Sequence, residues 1–401
     1  DALRPTRRGA IAIGGSVLAG LAALLPTMDQ GFPTTIGVSN NDGWGYATLV
    51  DWIMENPVPR TLVPDVAHPL TLVPWSSLSN HFGIGFEHFA SLLGSLLGRE
   101  GFEVVNAAAA VAAVAAVGGW MMLADDVNPR MGDLPAGLVV AAVATPVLAL
   151  PFGENYTTQF VALCLWPVAL SSFLRFSRRP GVASLVVATL GVGSVVGVYP
   201  AVLPWLVLPL VAVAVLSPER PEWAGTRLRG LAGAGAGARA RRGAALLGVL
   251  VVGLMVVWPI AMWRSTQNLL FLDTVVAGGL TEFFTTGGYA AYAVGATSAF
   301  SLFTLAPLAW SAIAALTLML GVYAVAVAPW RRPRGPELLL LAVVAGVVVT
   351  TAAVVVRYRV MDELPYQVYK GLTSGAAILA GLVVLGLVTS TAIRGRTVRL
   401  L

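Results

Sequence analysis

Ser39-Asn40-Asn41-Asp42-Gly43-Trp44-Gly45-Tyr46 lies in a long polar stretch that directly follows the first apolar segment of the chain. The stretch runs from Pro26 to Glu103, about 75 residues, and is much longer than an ordinary connection between helices. Most of the remaining chain consists of apolar segments. We therefore expect any chemistry of the protein to be located in this loop.

Composition predicts the class of protein. Hydrophobic residues make up 57% of the 401 residues and charged residues 11%, whereas soluble domains carry about a quarter of charged residues. The chain is therefore predicted to be an all-α integral membrane protein, with residues 1–401 forming a single transmembrane domain. Its one cysteine, Cys164, lies in an apolar segment and excludes a disulfide framework or a cysteine-based zinc site within this chain.

Apolar runs long enough to cross a bilayer predict about ten transmembrane helices. The first run lacks a cleavage site of small residues, so we interpret it as a retained span and not as a signal peptide. The runs cover residues 9–26, 104–124, 134–151, 158–175, 181–198, 199–216, 243–263, 298–328, 337–356 and 372–393.

The distribution of basic residues predicts the orientation in the membrane. If the N-terminus is cytoplasmic, the loops on that side collect 19 of the 25 basic residues and seven of the 20 acidic ones. This bias predicts a multi-pass plasma-membrane protein with cytoplasmic N- and C-termini and a long first loop that faces outward. The basic residues form short runs between apolar segments, which indicates topology signals and no nucleic-acid partner. Residues 217–242 are predicted to be a flexible basic cytoplasmic linker against anionic headgroups.

Loop 1, residues 27–103, is predicted to carry short amphipathic helices. Gly45–Asn56 and Ile84–Leu97 have apolar residues at helical spacing, which suits helices that lie in the membrane interface. Between them, five prolines predict an irregular, extended path from Arg60 to Ser79.

Two carboxylates of loop 1, Asp29 and Asp42, are nearest to the outer end of the first helix. Asp42 follows the carboxamides Asn40–Asn41 and precedes Trp44 and Tyr46, so an acceptor for a proton stands beside hydroxyl-binding groups and aromatic faces for a sugar ring. The same Asn-Asp-Gly sequence is equally typical of a turn that caps the following helix. The residues alone leave both interpretations open.

The order of these features resembles the GT-C superfamily of membrane glycosyltransferases: a first helix, a large outer loop with an early aspartate and interfacial helices, then many helices with short inner connections. The resemblance implies transfer of a sugar from a polyprenyl-phosphate donor to an extracytoplasmic glycan or lipid acceptor in cell-envelope biosynthesis. It places the general base on Asp42, with Asp29 as the substitute. The residues that carry it are Asn40-Asn41-Asp42 with Tyr46, His68-Pro69, and Tyr366-Gln367-Val368-Tyr369-Lys370.

The chain differs from GT-C relatives that have two adjacent acids in this loop, which leaves open whether a divalent cation is required. No metal ligands are assigned, since His68, His81 and His88 are spaced by 13 and 7 residues and match no usual zinc pattern. The alanine- and arginine-rich sequence resembles actinobacterial members, including arabinofuranosyl- and mannosyltransferases, and implies inverting transfer.

The last outer loop carries the cations that a lipid-phosphate donor would need. Arg357, Arg359 and Lys370 stand where the arginine bias predicts few cations, and Tyr366 and Tyr369 accompany the lysine. Fixed cations stabilise the charge that grows on a leaving phosphate. Alternatively, the two arginines extend to the membrane surface from a helix end and pair with nearby carboxylates.

A short outer loop offers two more candidate site residues, and two other classes of membrane protein are alternatives to a glycosyltransferase. Glu154-Asn155 lie in a very short outer loop and are predicted to bind sugar hydroxyls, with helix capping as an equal alternative. A transporter or flippase for lipid-linked sugars would place ionisable residues at mid-membrane, yet the predicted spans are almost free of charge at their centres. An O-antigen ligase or polymerase should carry its large outer loop late in the chain.

Overall fold

The computed structural model describes residues 7–28, 42–56, 67, 71–79, 84–128, 157–217, 236–271 and 335–360, and nine further residues of helical conformation between 374 and 386. All regular secondary structure within these ranges is helical. The predicted spans 134–151 and 298–328 lie outside the described residues.

Eleven α-helices are described in these ranges, together with a 3-10 turn at Pro200–Val202 between α7 and α8. They are α1 (Arg7–Met28), α2 (Asp42–Glu55), α3 (Leu72–Ser79), α4 (Gly85–Leu97), α5 (Gly101–Val127), α6 (Thr157–Arg178), α7 (Val182–Val198), α8 (Pro204–Leu216), α9 (Ala236–Val257), α10 (Pro259–Phe271) and α11 (Gly335–Val360).

Three described stretches are long and apolar enough to cross a membrane: Gly101–Val127, Thr157–Arg178 and Gly237–Val257. Shorter apolar helical stretches lie in α1, α7, α8 and α11. The helical, apolar character confirms the predicted class of all-α membrane protein. The number of ten spans stays a prediction.

Two parts of the chain fold differently from the expectation. The path from Arg60 to Ser79 is not irregular throughout, because α3 covers Leu72–Ser79; Pro74 lies in its first turn, where a proline is tolerated since no intrahelical N–H bond is lost. The run 243–263 is not one helix. It divides at Trp258, and Pro259 begins α10. Helix α9 begins at Ala236 and therefore includes the last residues of the predicted linker.

Helices α5 and α6 run parallel and form the centre of the packing. Gly119 of α5 lies so close to α6 that a Cβ there would be 2.6 Å from Cγ2 of Val168. Close to this contact, the rings of Trp120 and Trp166 have their centroids 6.0 Å apart. Gly119 meets Val168 and, further along both helices, Asp126 meets Arg175, so the two helices run in the same direction.

Side chains at the C-terminal ends of α5 and α6 also meet. Asp126 accepts hydrogen bonds from Arg175 Nε, 2.8 Å from its Oδ2, and from Ser171 Oγ at 2.5 Å. Its backbone oxygen accepts a further bond from Arg178 at 2.6 Å. Cations beside helix C-termini interact favourably with the carbonyl groups there.

Arg242 brings two more helix ends to the same place. From the first turns of α9, it donates to the backbone oxygens of Ser177, at 2.6 Å, and of Ser217, at 3.2 Å, which follows α8. We call this end of the bundle, with Asp126, Arg175 and Arg242, the arginine end. The opposite end, where α2, α3 and α4 pack, is called the loop-1 end.

Candidate functional site at the loop-1 end

Asp51 attaches α2 to the start of α5. Its carboxylate accepts a hydrogen bond from the backbone N–H of Gly101, the first residue of α5, and so binds one of the free N–H groups of that helix end. Burial raises the pKa of Asp51, and the bond from Gly101 opposes this rise. Glu100 and Glu103 cap the same helix with a capping box. The end of loop 1 is thereby fixed to the bundle.

Tyr46 connects α2 with two other helices. Its hydroxyl lies 3.2 Å from Oγ1 of Thr158 at the start of α6. Its ring meets Phe86 of α4 edge to face, with centroids 6.5 Å apart. The side chain therefore has a packing role at the loop-1 end, and its role in stacking a sugar stays a prediction.

Asp42 is the first residue of α2. A carboxylate at a helix start fits the capping interpretation. The same position also fits the interpretation as a site residue, because loop 1 enters the bundle there. Trp44 follows in the first turn of α2, and Arg357 and Arg359 lie in the last turn of α11. For these four residues the description covers the backbone only.

The remaining predicted site residues lie outside the described part of the chain, so their roles stay predictions. They are Asp29, Asn40, Asn41, His68, Glu154, Asn155, Tyr366, Tyr369 and Lys370. Among the residues that are described, no three or more His, Cys, Asp or Glu side chains are grouped to hold a metal ion.

A buried pair of ionisable residues, Glu87 and Arg264, was not anticipated from the sequence. Glu87 on α4 is 2% exposed and Arg264 on α10 is 8% exposed. Burial raises the pKa of Glu87 to about 8, although the positive charge of Arg264 acts against that rise. Burial lowers the pKa of Arg264, and the Glu87 carboxylate opposes this. Perturbed groups of this kind are concentrated at functional sites.

The sequence signal for Glu87 was obscured by the pattern of α4. The helix buries Phe86, Glu87, Ala90, Ser91 and Gly94 against its neighbours. Its larger apolar side chains, among them Phe89, Leu92 and Leu96, are exposed on the opposite face. The face of α4 that contacts the protein therefore carries Phe86 together with small and polar residues.

The architecture is therefore that of a polytopic helical membrane protein whose first loop is fixed by several helices at one end of the bundle. No model of a known protein family and no curated protein sequence matches the chain. Among solved structures, the chain is similar to the oligosaccharyltransferase AglB of Archaeoglobus fulgidus in complex with an inhibitory peptide and a dolichol-phosphate, with a TM-score of 0.53 and 14% identity. The match covers 98% of this chain and 51% of that one.

Two further structures of the Archaeoglobus fulgidus oligosaccharyltransferase have lower scores. The apo form has a TM-score of 0.47 at 13% identity, covering 94% of this chain and 50% of that one. The complex with Zn and sulfate has a TM-score of 0.47 at 15% identity, covering 93% and 48%. This chain spans about half the length of the protein it resembles. The likeness to AglB shows that the chain shares the fold of about half of that oligosaccharyltransferase.

Proposed function

We propose that this chain is a membrane glycosyltransferase that moves a sugar from a polyprenyl-phosphate donor to an extracytoplasmic glycan or lipid acceptor in cell-envelope biosynthesis. The observation that carries the proposal is the likeness of its fold to AglB, which extends over 98% of the chain. That structure contains a dolichol-phosphate, a polyprenyl phosphate of the chemical class that we propose as the donor's lipid.

Asp42 is the proposed general base, with Asp29 as the substitute. The carboxylate takes the proton of the acceptor hydroxyl while the hydroxyl oxygen attacks the sugar carbon, and the bond from that carbon to the lipid phosphate breaks. Asn40–Asn41 orient the acceptor, and Trp44 and Tyr46 stack against the sugar. The position of Asp42 at the start of α2 supports this role, because α2 is held by α4, α5 and α6 through Phe86, Gly101 and Thr158.

Cations at the other side of the proposed site receive the lipid phosphate. Arg357 and Arg359 lie in the last turn of α11, and Lys370 with Tyr366 and Tyr369 follows in the chain. Their positive charges stabilise the negative charge that grows on the leaving phosphate. His68, Glu154 and Asn155 are proposed to bind hydroxyl groups of the sugar or the acceptor.

The proposal includes an orientation and a sugar class. Both termini are cytoplasmic and the loop-1 end faces outward, as the arginine bias favours. Contacts among Asp126, Arg175, Arg178 and Arg242 support this orientation, since they gather basic residues at one end of the bundle. An inverting transfer of an arabinofuranosyl or mannosyl residue is favoured by the resemblance to actinobacterial enzymes.

The test uses purified protein in lipid vesicles with a panel of radiolabelled polyprenyl-phosphate sugars. Release of lipid phosphate and labelling of an acceptor are measured together with donor binding. Asp42→Asn keeps the shape and removes the base, so turnover should fall by about two to four orders of magnitude while donor binding changes little. Lys370→Gln should weaken donor binding. Arg239→Gln, an exposed arginine near the start of α9, is the control and should change neither.

Three outcomes would contradict parts of the proposal. Near-normal turnover of Asp42→Asn would reject this base, and near-normal turnover of Asp29→Asn as well would reject the function assigned to loop 1. If no donor of the panel reacts but labelled lipid crosses the vesicle membrane, the alternative of a flippase for lipid-linked sugars would replace the transferase.

A further inference from the structure

The start of α4 is seated on α7 with almost no space between the two backbones. A Cβ on Gly85, the first residue of α4, would lie 2.8 Å from the backbone oxygen of Gly197 and 2.9 Å from its carbonyl carbon. The next residue, Phe86, is buried against Tyr46. The contact of Gly85 with α7 therefore leaves no room for a side chain.

Glu87, the third residue of α4, is buried. Its Oε2 atom is buried and has no hydrogen-bond partner among the described residues. The positive charge of Arg264, on α10, acts on this carboxyl. A carboxylate without a hydrogen-bond partner is costly to bury, because its charged form loses solvation.

We propose that Glu87 is a positioning residue whose protonation state sets how firmly the start of α4 is held against α7, that Arg264 modulates that state, and that α4 in turn holds α2, the helix that begins at Asp42. Helix α4 contacts α2 at both of its ends, through Phe86 with Tyr46 and through Gly94 with Met54. The consequence for sugar transfer rests on the proposed function. The consequence for the position of α4 does not.

The charge state of Glu87 determines how firmly α4 is held. Burial raises the pKa of Glu87 from 4.5 to about 8 when α4 is in place, so the docked helix binds a proton that an undocked one releases. The contribution to docking is therefore complete below about pH 4.5 and is lost as the pH rises through about 8. Arg264 remains protonated throughout this range.

Other titratable groups around α4 are separated from this contact. His88 neighbours Glu87 but is exposed, and its pKa is lowered by partial burial and by Arg264. Asp51 and Glu55 of α2 flank Met54, which meets α4 at Gly94, about two turns from Glu87. Asp, Glu, His, Lys and Arg are absent from the sequence of α7.

The test measures the accessibility of the buried face of α4 with a single cysteine. Ser91 is buried on that face, and Ser91→Cys is nearly isosteric; Cys164→Ala removes the natural cysteine. The rate of maleimide labelling in lipid vesicles is measured from pH 6.5 to 9.5. Each rate is divided by the rate of the same reporter in a Glu87→Gln background, in which the glutamine mimics the protonated acid. This division corrects for ionisation of the reporter thiol.

The rate ratio should rise by about tenfold between pH 7 and 9.5 and level off above about pH 8, because each pH unit between the pKa of the undocked helix and that of the docked helix favours the undocked helix tenfold. Arg264→Gln should move this rise to higher pH, since the arginine lowers the pKa of Glu87, and Arg264→Lys should restore much of the original profile. The matched control is Glu103→Gln, a first-turn glutamate of α5, which should leave the profile unchanged.

A ratio that stays constant over the pH range would overturn the proposal, as would fast labelling of Ser91→Cys at pH 6.5 or loss of the pH dependence in the Glu103→Gln control. The labelling result is independent of enzymatic activity. A pH-dependent ratio in a protein that transfers no sugar would refute the proposed function alone, whereas sugar transfer with a constant ratio would refute the positioning role alone.

Discussion

Replacing Asp126 by asparagine should weaken the bundle at the arginine end. Asp126 accepts hydrogen bonds from Arg175 and Ser171 through its carboxylate, and from Arg178 through its backbone oxygen. Asp126→Asn leaves the backbone bond intact and keeps the side-chain shape. The variant therefore tests the carboxylate charge at the junction of α5 and α6.

The expected magnitude follows from the exposure of the partners. The Arg175 side chain is 48% exposed and that of Asp126 is 14% exposed, so their ion pair contributes about 0.2–1 kcal/mol. The bond from the buried Ser171 hydroxyl to a charged acceptor contributes about 1.5–3 kcal/mol, and asparagine retains part of it through its carbonyl oxygen. We expect the free energy of unfolding to fall by about 1–3 kcal/mol.

Unfolding in mixed micelles of increasing SDS content can be followed by tryptophan fluorescence, since Trp120 and Trp166 lie buried between the same two helices. Arg241→Gln, at an exposed position of the arginine end, is the control and should change the free energy of unfolding by less than about 0.5 kcal/mol. If Asp126→Asn is as stable as this control, the contact between α5 and α6 does not depend on the carboxylate.

Two further predictions concern packing and orientation. Gly119→Leu should lower the free energy of unfolding by at least about 1–3 kcal/mol, because a side chain there would meet Val168. Gly118→Leu should be tolerated, since no atom lies within 4 Å of a Cβ at Gly118. Equal stability of the two variants would contradict the close packing of α5 against α6 at Gly119. Single cysteines at Arg60 and Gly230, in a cysteine-free background, should be labelled by an impermeant reagent from opposite sides of the membrane, and labelling from one side would refute the orientation.

Long helices were predictable because apolar length is a strong signal. The runs 104–124 and 181–198 became α5 and α7 with similar bounds, Gly101–Val127 and Val182–Val198. Helix α5 starts earlier than its apolar run because the capping box of Glu100 and Glu103 stabilises the first turn. The length of an apolar run does not show how far polar residues extend the helix beyond it.

Short elements and contacts between distant residues were less accessible. Helix α3 was missed because its proline was interpreted as a breaker, although Pro74 lies in the first turn. Tyr46 was placed correctly in a loop-1 helix, but its partners Phe86 and Thr158 follow from packing that no local pattern specifies. Glu87 was overlooked for the same reason, since its environment depends on α10.

The two ends of the bundle use charge in different ways, and this difference favours the loop-1 end as the functional one. At the arginine end, Arg175 and Arg242 lie at helix termini, where they bind carboxylate and carbonyl oxygens, an arrangement that stabilises the fold and needs no other explanation. At the loop-1 end, Glu87 and Arg264 are buried between helices, where the desolvation of charge opposes folding. A loop that only connected two spans would gain nothing from this cost. A loop that must hold Asp42 in a fixed position, as we propose, would gain from a firmly placed α4.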